Sequence, residues 1–169
     1  MSGMEAARRP TRIGVTGHIN LTADTAVLVG TALRELLAAY RPEELVGVSC
    51  LAAGADTIFA KAVLAHGGRL EVVLPAADYR DRKVAPEHGA AFDRLAGHAA
   101  SVRVMPHAQA GRAAYQDANA AMLAGCDLLV AVWDGQPPAD RGGTAAVVAD
   151  AHALALPVVV VWPDGARRT

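Results

Sequence analysis

Gly142, Gly143 and Thr144 place two glycines and a hydroxyl directly ahead of an apolar, helix-like run, "AAVVADAHALA". The first amides of a helix have no intrahelical acceptor and point outward at the positive end of the helix dipole. Glycines there let an anion come within hydrogen-bonding distance, and the Thr144 hydroxyl can add a donor, so phosphate is the natural guest. The same three residues also suit plain helix capping after a proline-rich loop, and the motif gains meaning only from its neighbours. Asp134 and Gly135 follow the apolar run "DLLVAVW", where a carboxylate can bind ribose hydroxyls. Thr16, Gly17 and His18 end "RIGVTGH", and Gly54, Ala55 and Asp56 end "AAGAD". For His18 the plainer reading is a polar loop residue; for Asp56 a helix-starting cap stands level with a ligand contact. Tyr115 and Asn119 lie four apart on one helix face, where they can stack on and hydrogen-bond a ligand or simply pack. Arg80 and Arg82 occupy a long connection and can clamp phosphate, with solvated surface as the plainer role.

These residues need elements to hold them. Short β-branched or aliphatic runs recur as "RIGVTG", "LVGVSC", "RLEVVLP", "SVRVMP", "DLLVAVW" and "PVVVVWP", each reading as a strand. Between them stand helical stretches: "LTADTAVLVGTALRELLAAY", with Thr22 or Asp24 able to cap it, "TIFAKAVLAHGG", "EHGAAFDRLAGHA", "RAAYQDANAAMLAGC" and "TAAVVADAHALA". Strand–helix alternation predicts an α/β fold: one doubly wound, Rossmann-like, mostly parallel sheet of about six strands with helices on both faces. In such a sheet, ligands bind beyond the carboxyl ends of the strands near the point where strand order reverses. The residues singled out above all follow strands or start helices, so they belong to one edge. The connection "AADYRDRKVAP" reads as a lid or a mobile loop. Trp133 and Trp162 end late strands and read as core. The domain is expected over residues 12–163, with tails at 1–11 and 164–169.

Composition sets outer limits. The 169 residues are 53% hydrophobic and 20% charged, which excludes a disordered chain and suits a largely buried sheet. A formal net charge of −1 gives no global attraction to nucleic acid or anionic lipid, and on that ground nucleic acid is expected not to be a partner. Cys50 and Cys126 lie far apart in apolar runs, which points to buried thiols in a reducing cytoplasm and to no metal site. No apolar run reaches the ~20 residues of a spanning helix, so no membrane association is expected.

Taken together, "RIGVTGH", "LAAGADTIFA", "VVLPAADYR", "AGCDLLVAVWDG" and "RGGTAAVVADAHALALPVVVVWP" resemble the SLOG superfamily, Rossmann-like proteins named after the DNA-uptake protein Smf and the Lonely Guy phosphoribohydrolases. The likeness spans Arg12 to Pro163. It implies nucleotide or nucleotide-derived ligands at the strand carboxyl ends, phosphate on the Gly-Gly-Thr loop, and a homodimer. The late segment is also similar to nucleoside deoxyribosyltransferases. Both enzyme groups place a reactive glutamate three residues after the motif's threonine; here that position is Val147, which can neither attack nor stabilise a ribosyl cation. The leading proline of the Lonely Guy motif is replaced by Arg141, and the next carboxylate, Asp150, lies about one turn further on.

The sequence therefore points to a cytoplasmic protein that binds a nucleotide or nucleotide-like small molecule as sensor or carrier, with no further cofactor required. Gly142, Gly143 and Thr144, with Arg141 beside them, would hold phosphate. Thr16, Gly17, His18, Gly54, Ala55 and Asp56 would line the pocket, and Asn119, Asp134 and Gly135 would meet sugar or base. A second reading, cleavage or transfer at an N-glycosidic bond, would have to use Asp56 or Asp134 as the reacting carboxylate.

Overall fold

The computed structural model describes residues 9–137 and 143–169. Six strands form one sheet: β1 (Thr11–Gly17), β2 (Leu45–Ser49), β3 (Arg69–Leu74), β4 (Ser101–Val104), β5 (Leu128–Val132) and β6 (Val158–Val160). All five pairings are parallel, in the order β4-β3-β2-β1-β5-β6. The connecting helices are α1 (Ala23–Leu37), α2 (Ala55–His66), α3 (Tyr79–Arg82), α4 (Pro86–His98), α5 (Arg112–Gly125) and α6 (Thr144–Ala153). The chain thus builds outward from β1 to β4, returns to lay β5 on the other side of β1, and ends at β6. Strand order reverses between β1 and β5, and the ends of those strands open a crevice.

Alternate residues of each strand serve opposite faces. Ile13 and Val15 pack with Val29, Leu33 and Leu37 of α1 and with Phe59 and Val63 of α2. The same face continues beneath α4, where Leu70, Val72 and Leu74 meet Phe92 and Leu95. On the reverse face, Val46, Val48, Val73 and Leu129 pack with Met122 and Leu123 of α5 and Val147 and Ala151 of α6. Thr22 caps α1, its hydroxyl accepting the Thr25 amide at 3.2 Å.

Three features depart from the expectations above. The edge strands are not covered on both faces: Val102 and Val104 of β4 are 45% and 47% exposed, and Val160 of β6 is 50% exposed. "AADYRDRKVAP" is a packed segment, with α3 inside it and Tyr79 and Val84 buried against the α4 core. The last residues, read as a tail, are hydrogen-bonded to the loop after β1: the Thr22 amide donates to the Arg167 carbonyl, the Arg167 amide to the Thr25 hydroxyl, and the Thr169 amide to the Asn20 carbonyl.

Across the sheet's other end, Arg12 of β1 reaches past β2 to Glu71 of β3 in a two-pronged pair at 2.9 and 2.7 Å, while its Nε donates to the Gly125 carbonyl. The guanidinium holds the Glu71 carboxyl below the ordinary carboxylate range, and Glu71 in turn raises Arg12. Glu71→Gln should lower stability by about 1 kcal/mol at pH 7, the scale of a half-exposed bidentate pair, and the loss should shrink in high salt. Urea unfolding at low and high ionic strength would measure it.

Candidate functional site

The loops after β1 and β2 are locked together. The His18 amide donates to the Val132 carbonyl at 3.1 Å, and the Ala55 amide to the His18 carbonyl at 3.1 Å. Gly54, the residue before α2, has φ +76, and a side chain there would sit 2.6 Å from the His18 carbonyl; only glycine suits both the conformation and the approach. Gly17 is equally confined, between Ala55 and Val132.

The β2–α2 loop is built around Asp56. Leu51 is fully buried yet adopts a left-handed conformation, φ 56, which costs a non-glycine residue about 1–3 kcal/mol. Its turn brings the Cys50 and Ala52 amides onto the Asp56 carboxyl, the latter at 3.3 Å. Nearby, Thr57 donates its hydroxyl to the Ala52 carbonyl at 2.7 Å, and Ser49 donates to the Asp56 carbonyl at 3.2 Å. Burial pushes the Asp56 carboxyl up to about 7, although the two amides pull the other way. Burial, reinforced by Asp56, likewise raises the Cys50 thiol, so Cys50 is a thiol and not a thiolate.

Between these loops and α5 and α6 lies a cleft of about 250 Å³. Of the residues singled out in the sequence, Thr16, Gly17, Asp56, Tyr115, Asn119, Gly143 and Thr144 line it together, drawn from the end of β1, the starts of α2 and α6, and α5. Gly143 precedes α6 with φ +75 and, as a glycine, offers no side chain to cap the helix, so among the described residues no side-chain hydrogen bond caps its first turn. Arg141 and Gly142 lie outside the described residues. Val147 lines the cleft from the next turn of α6, where the resemblance would require a glutamate.

His18, Gly54, Ala55, Asp134 and Gly135 are not among the lining residues; Gly54 and Ala55 are instead packed against the loop after β1. The expected ribose contact at Asp134 is instead a member of a separate cluster. The His18 Nε2 accepts the Asp134 amide at 3.2 Å and lies 3.3 Å from its carboxylate, and Arg168 approaches the other oxygen at 3.6 Å. Burial and the Arg168 charge lower the His18 pKa, which agrees with a neutral ring whose Nε2 is an acceptor. At Asp134 burial opposes ionisation, but the Gln136 amide and the Arg168 charge hold the carboxyl below its ordinary range. His18 also stacks edge-on against Trp162, 5.6 Å between ring centres, with Trp162 packed on the core. Trp133 is half-buried and donates its indole N–H to the Gln136 carbonyl.

Sequence reasoning missed part of the lining: Ile19, Cys50, Ala52, Pro75, Tyr79 and Ala118. Tyr79 meets Tyr115 edge to face at 6.2 Å, and together they form an aromatic part of the cleft wall. The signal for Ala118 was present, since Tyr115, Ala118 and Asn119 share one helix face. Arg80 faces away from any phosphate role and forms a bidentate pair with Asp93 at 2.7 and 2.9 Å. Among the described residues there is no cluster of potential metal ligands, and no helix is long and apolar enough to cross a membrane.

No family model and no curated protein matches the chain. Solved structures do. DNA processing protein A from Streptococcus pneumoniae is 20% identical with a TM-score of 0.66, over 93% of this chain and 52% of that one. A second, from Helicobacter pylori, described for its single-stranded DNA binding mode, is 16% identical with a TM-score of 0.68, over 93% and 67% of the two chains. The molybdenum cofactor carrier protein from Chlamydomonas reinhardtii is 24% identical with a TM-score of 0.59, over 91% and 76%. This chain thus spans about half the length of the Streptococcus protein. The expectation that nucleic acid is not a partner is corrected here: a protein of this fold binds single-stranded DNA, and a net charge averages away any local surface on which a strand could lie. At the level of fold, the chain is a Rossmann-like α/β protein, an architecture it shares with DNA processing protein A and the molybdenum cofactor carriers.

Proposed function

We propose that the chain binds a nucleotide or nucleotide-derived ligand in the cleft at the β1/β5 crossing, as a sensor or carrier. The observation that carries this reading is the start of α6: a helix whose N-cap is Gly143, with no side-chain cap among the described residues, opening through Gly143 and Thr144 onto a cleft that also holds Thr16, Asp56 and Asn119. Amides at a helix start favour an anion, and the Tyr79–Tyr115 wall suits a planar ring. A carrier role accords with the cofactor-carrying proteins of the same fold. A buried carboxyl with a raised pKa inside a cleft is itself a marker of a working site.

Titration calorimetry with nucleoside 5′-monophosphates and with the parent nucleosides tests this directly. The monophosphates should bind, and removing the phosphate should weaken binding at least ten-fold, about 1.4 kcal/mol. Thr144→Asp should do the same, because it puts a carboxylate in the anion's place while still complementing the helix dipole. Equal affinity for nucleoside and nucleotide would overturn the phosphate assignment.

Two alternatives have a specific footing. The likeness to the Helicobacter protein favours a reading in which the cleft takes one nucleotide of a single strand, and it predicts that a short oligothymidylate binds more tightly than thymidine monophosphate. Asp56, a carboxylate lining the cleft, leaves room for glycosidic-bond cleavage; this predicts steady release of free base from a monophosphate, lost in Asp56→Ala.

A further inference from the structure

We infer that Asp56 is the residue through which the cleft recognises the paired hydroxyls of a ribose, so that the site takes ribonucleotides in preference to their 2′-deoxy counterparts. The inference rests on the nucleotide reading above and assigns the sugar end of that ligand. Asp56 lies in the first turn of α2, which follows β2, and the proposed phosphate position lies at the start of α6, which follows β5. β1 separates them, with Thr16 lining the cleft in between. The strands that lead into these two helices, β2 and β5, are two strand spacings apart, about 10 Å. A sugar 5′-phosphate can cover that span once a hydrogen bond of ~3 Å is added at each end.

The chemistry of the two ends is complementary to such a molecule. A carboxylate has two oxygens and can accept from two neighbouring hydroxyls at once, which a single hydroxyl cannot exploit. A ligand ammonium would need Asp56 fully ionised, whereas the carboxyl is held near neutrality. Hydroxyls are satisfied by either form, since each can donate or accept. Partial protonation also limits repulsion between Asp56 and a phosphate in the same cleft. The fold holds Asp56 in a costly setting: buried, against a loop strained at Leu51 and beside the partly buried Cys50. A structural cap would be met by an exposed side chain accepting helix amides, yet Asp56 accepts from the loop before α2.

The test compares the four ribonucleoside 5′-monophosphates with their 2′-deoxy forms by calorimetry, on the wild type and on Asp56→Asn and Asp56→Ala. At least one ribonucleotide should bind ten-fold or more tightly than its deoxy form, the scale of losing one hydrogen bond to a charged partner. Both variants should bring the pair within about two-fold of each other, while phosphate-dependent binding persists. Equal wild-type affinity for the two series, or discrimination that survives in Asp56→Ala, overturns the assignment and leaves nucleotide binding standing. If no monophosphate of either series binds more tightly than inorganic phosphate, the nucleotide reading falls with it. The wild-type comparison needs no variant, so a folding defect cannot mask the answer.

Discussion

Asp56→Asn should make the protein more stable than the wild type at pH 8 by up to about 4 kcal/mol, and leave it nearly unchanged at pH 4. Each pKa unit is worth ~1.4 kcal/mol, and burial moves this carboxyl from 3.8 to about 7. In the unfolded chain Asp56 releases its proton near pH 4; in the folded protein it keeps it until about 7. The unfolded state therefore binds fewer protons across that window, and stability falls as pH rises through it. Below pH 4 both states are protonated, and the contribution is fully present. His18, whose pKa is lowered on folding, works in the opposite direction near pH 6, since its unfolded state binds the extra proton. Subtracting the variant's urea-unfolding profile from the wild type's removes that term and isolates Asp56. Asparagine is nearly isosteric and keeps an oxygen for the Ala52 amide. A difference that does not change between pH 4 and 8 would show that Asp56 is not held in the protonated form.

Gly17→Ala is expected to be the most damaging small substitution at the cleft. The added carbon would lie 2.4 Å from the Ala55 Cβ and 2.8 Å from both the Val132 Cβ and the Val132 carbonyl oxygen. None of these is the end of a flexible side chain, so relief requires the ends of β1 and β5 and the start of α2 to part. Overpacking of this kind costs about 3 kcal/mol. For a domain of this length that is a fall of roughly 10 °C in melting temperature. The same movement would break the His18–Val132 and Ala55–His18 amide bonds and open the cleft. Ligand binding should weaken along with stability, in contrast to Thr144→Asp, which should lose binding alone. A melting temperature within a degree or two of wild type would mean that the loops are looser than this packing implies.

What the sequence made legible follows from how local each feature is. Strand–helix alternation is local, and each expected strand and main helix appears with boundaries shifted by a few residues. The uncovered edges at Val102, Val104 and Val160 depend on strand order, which an aliphatic run does not encode. α3 hid within a charged, proline-flanked segment because its one anchor, Tyr79, is held by Phe92 and Tyr115 from distant parts of the chain. The cleft was legible as a set of strand-end residues, since parallel topology gathers them at one edge. Which of them face inward was not. His18 and Asp134 are 116 residues apart and find each other, and Arg168, only in three dimensions. Asp56 and Asp134 look alike in sequence, yet burial raises one and neighbouring donors lower the other.

The central claim is that an anionic ligand sits on the amides at the start of α6. Amide chemical-shift mapping during titration with a nucleoside monophosphate tests it most directly. The account predicts saturable shifts centred on Gly143, Thr144 and Ala145, extending to Thr16, Asp56 and Asn119. Saturable shifts confined to another face, or no response at the α6 amides, would contradict it.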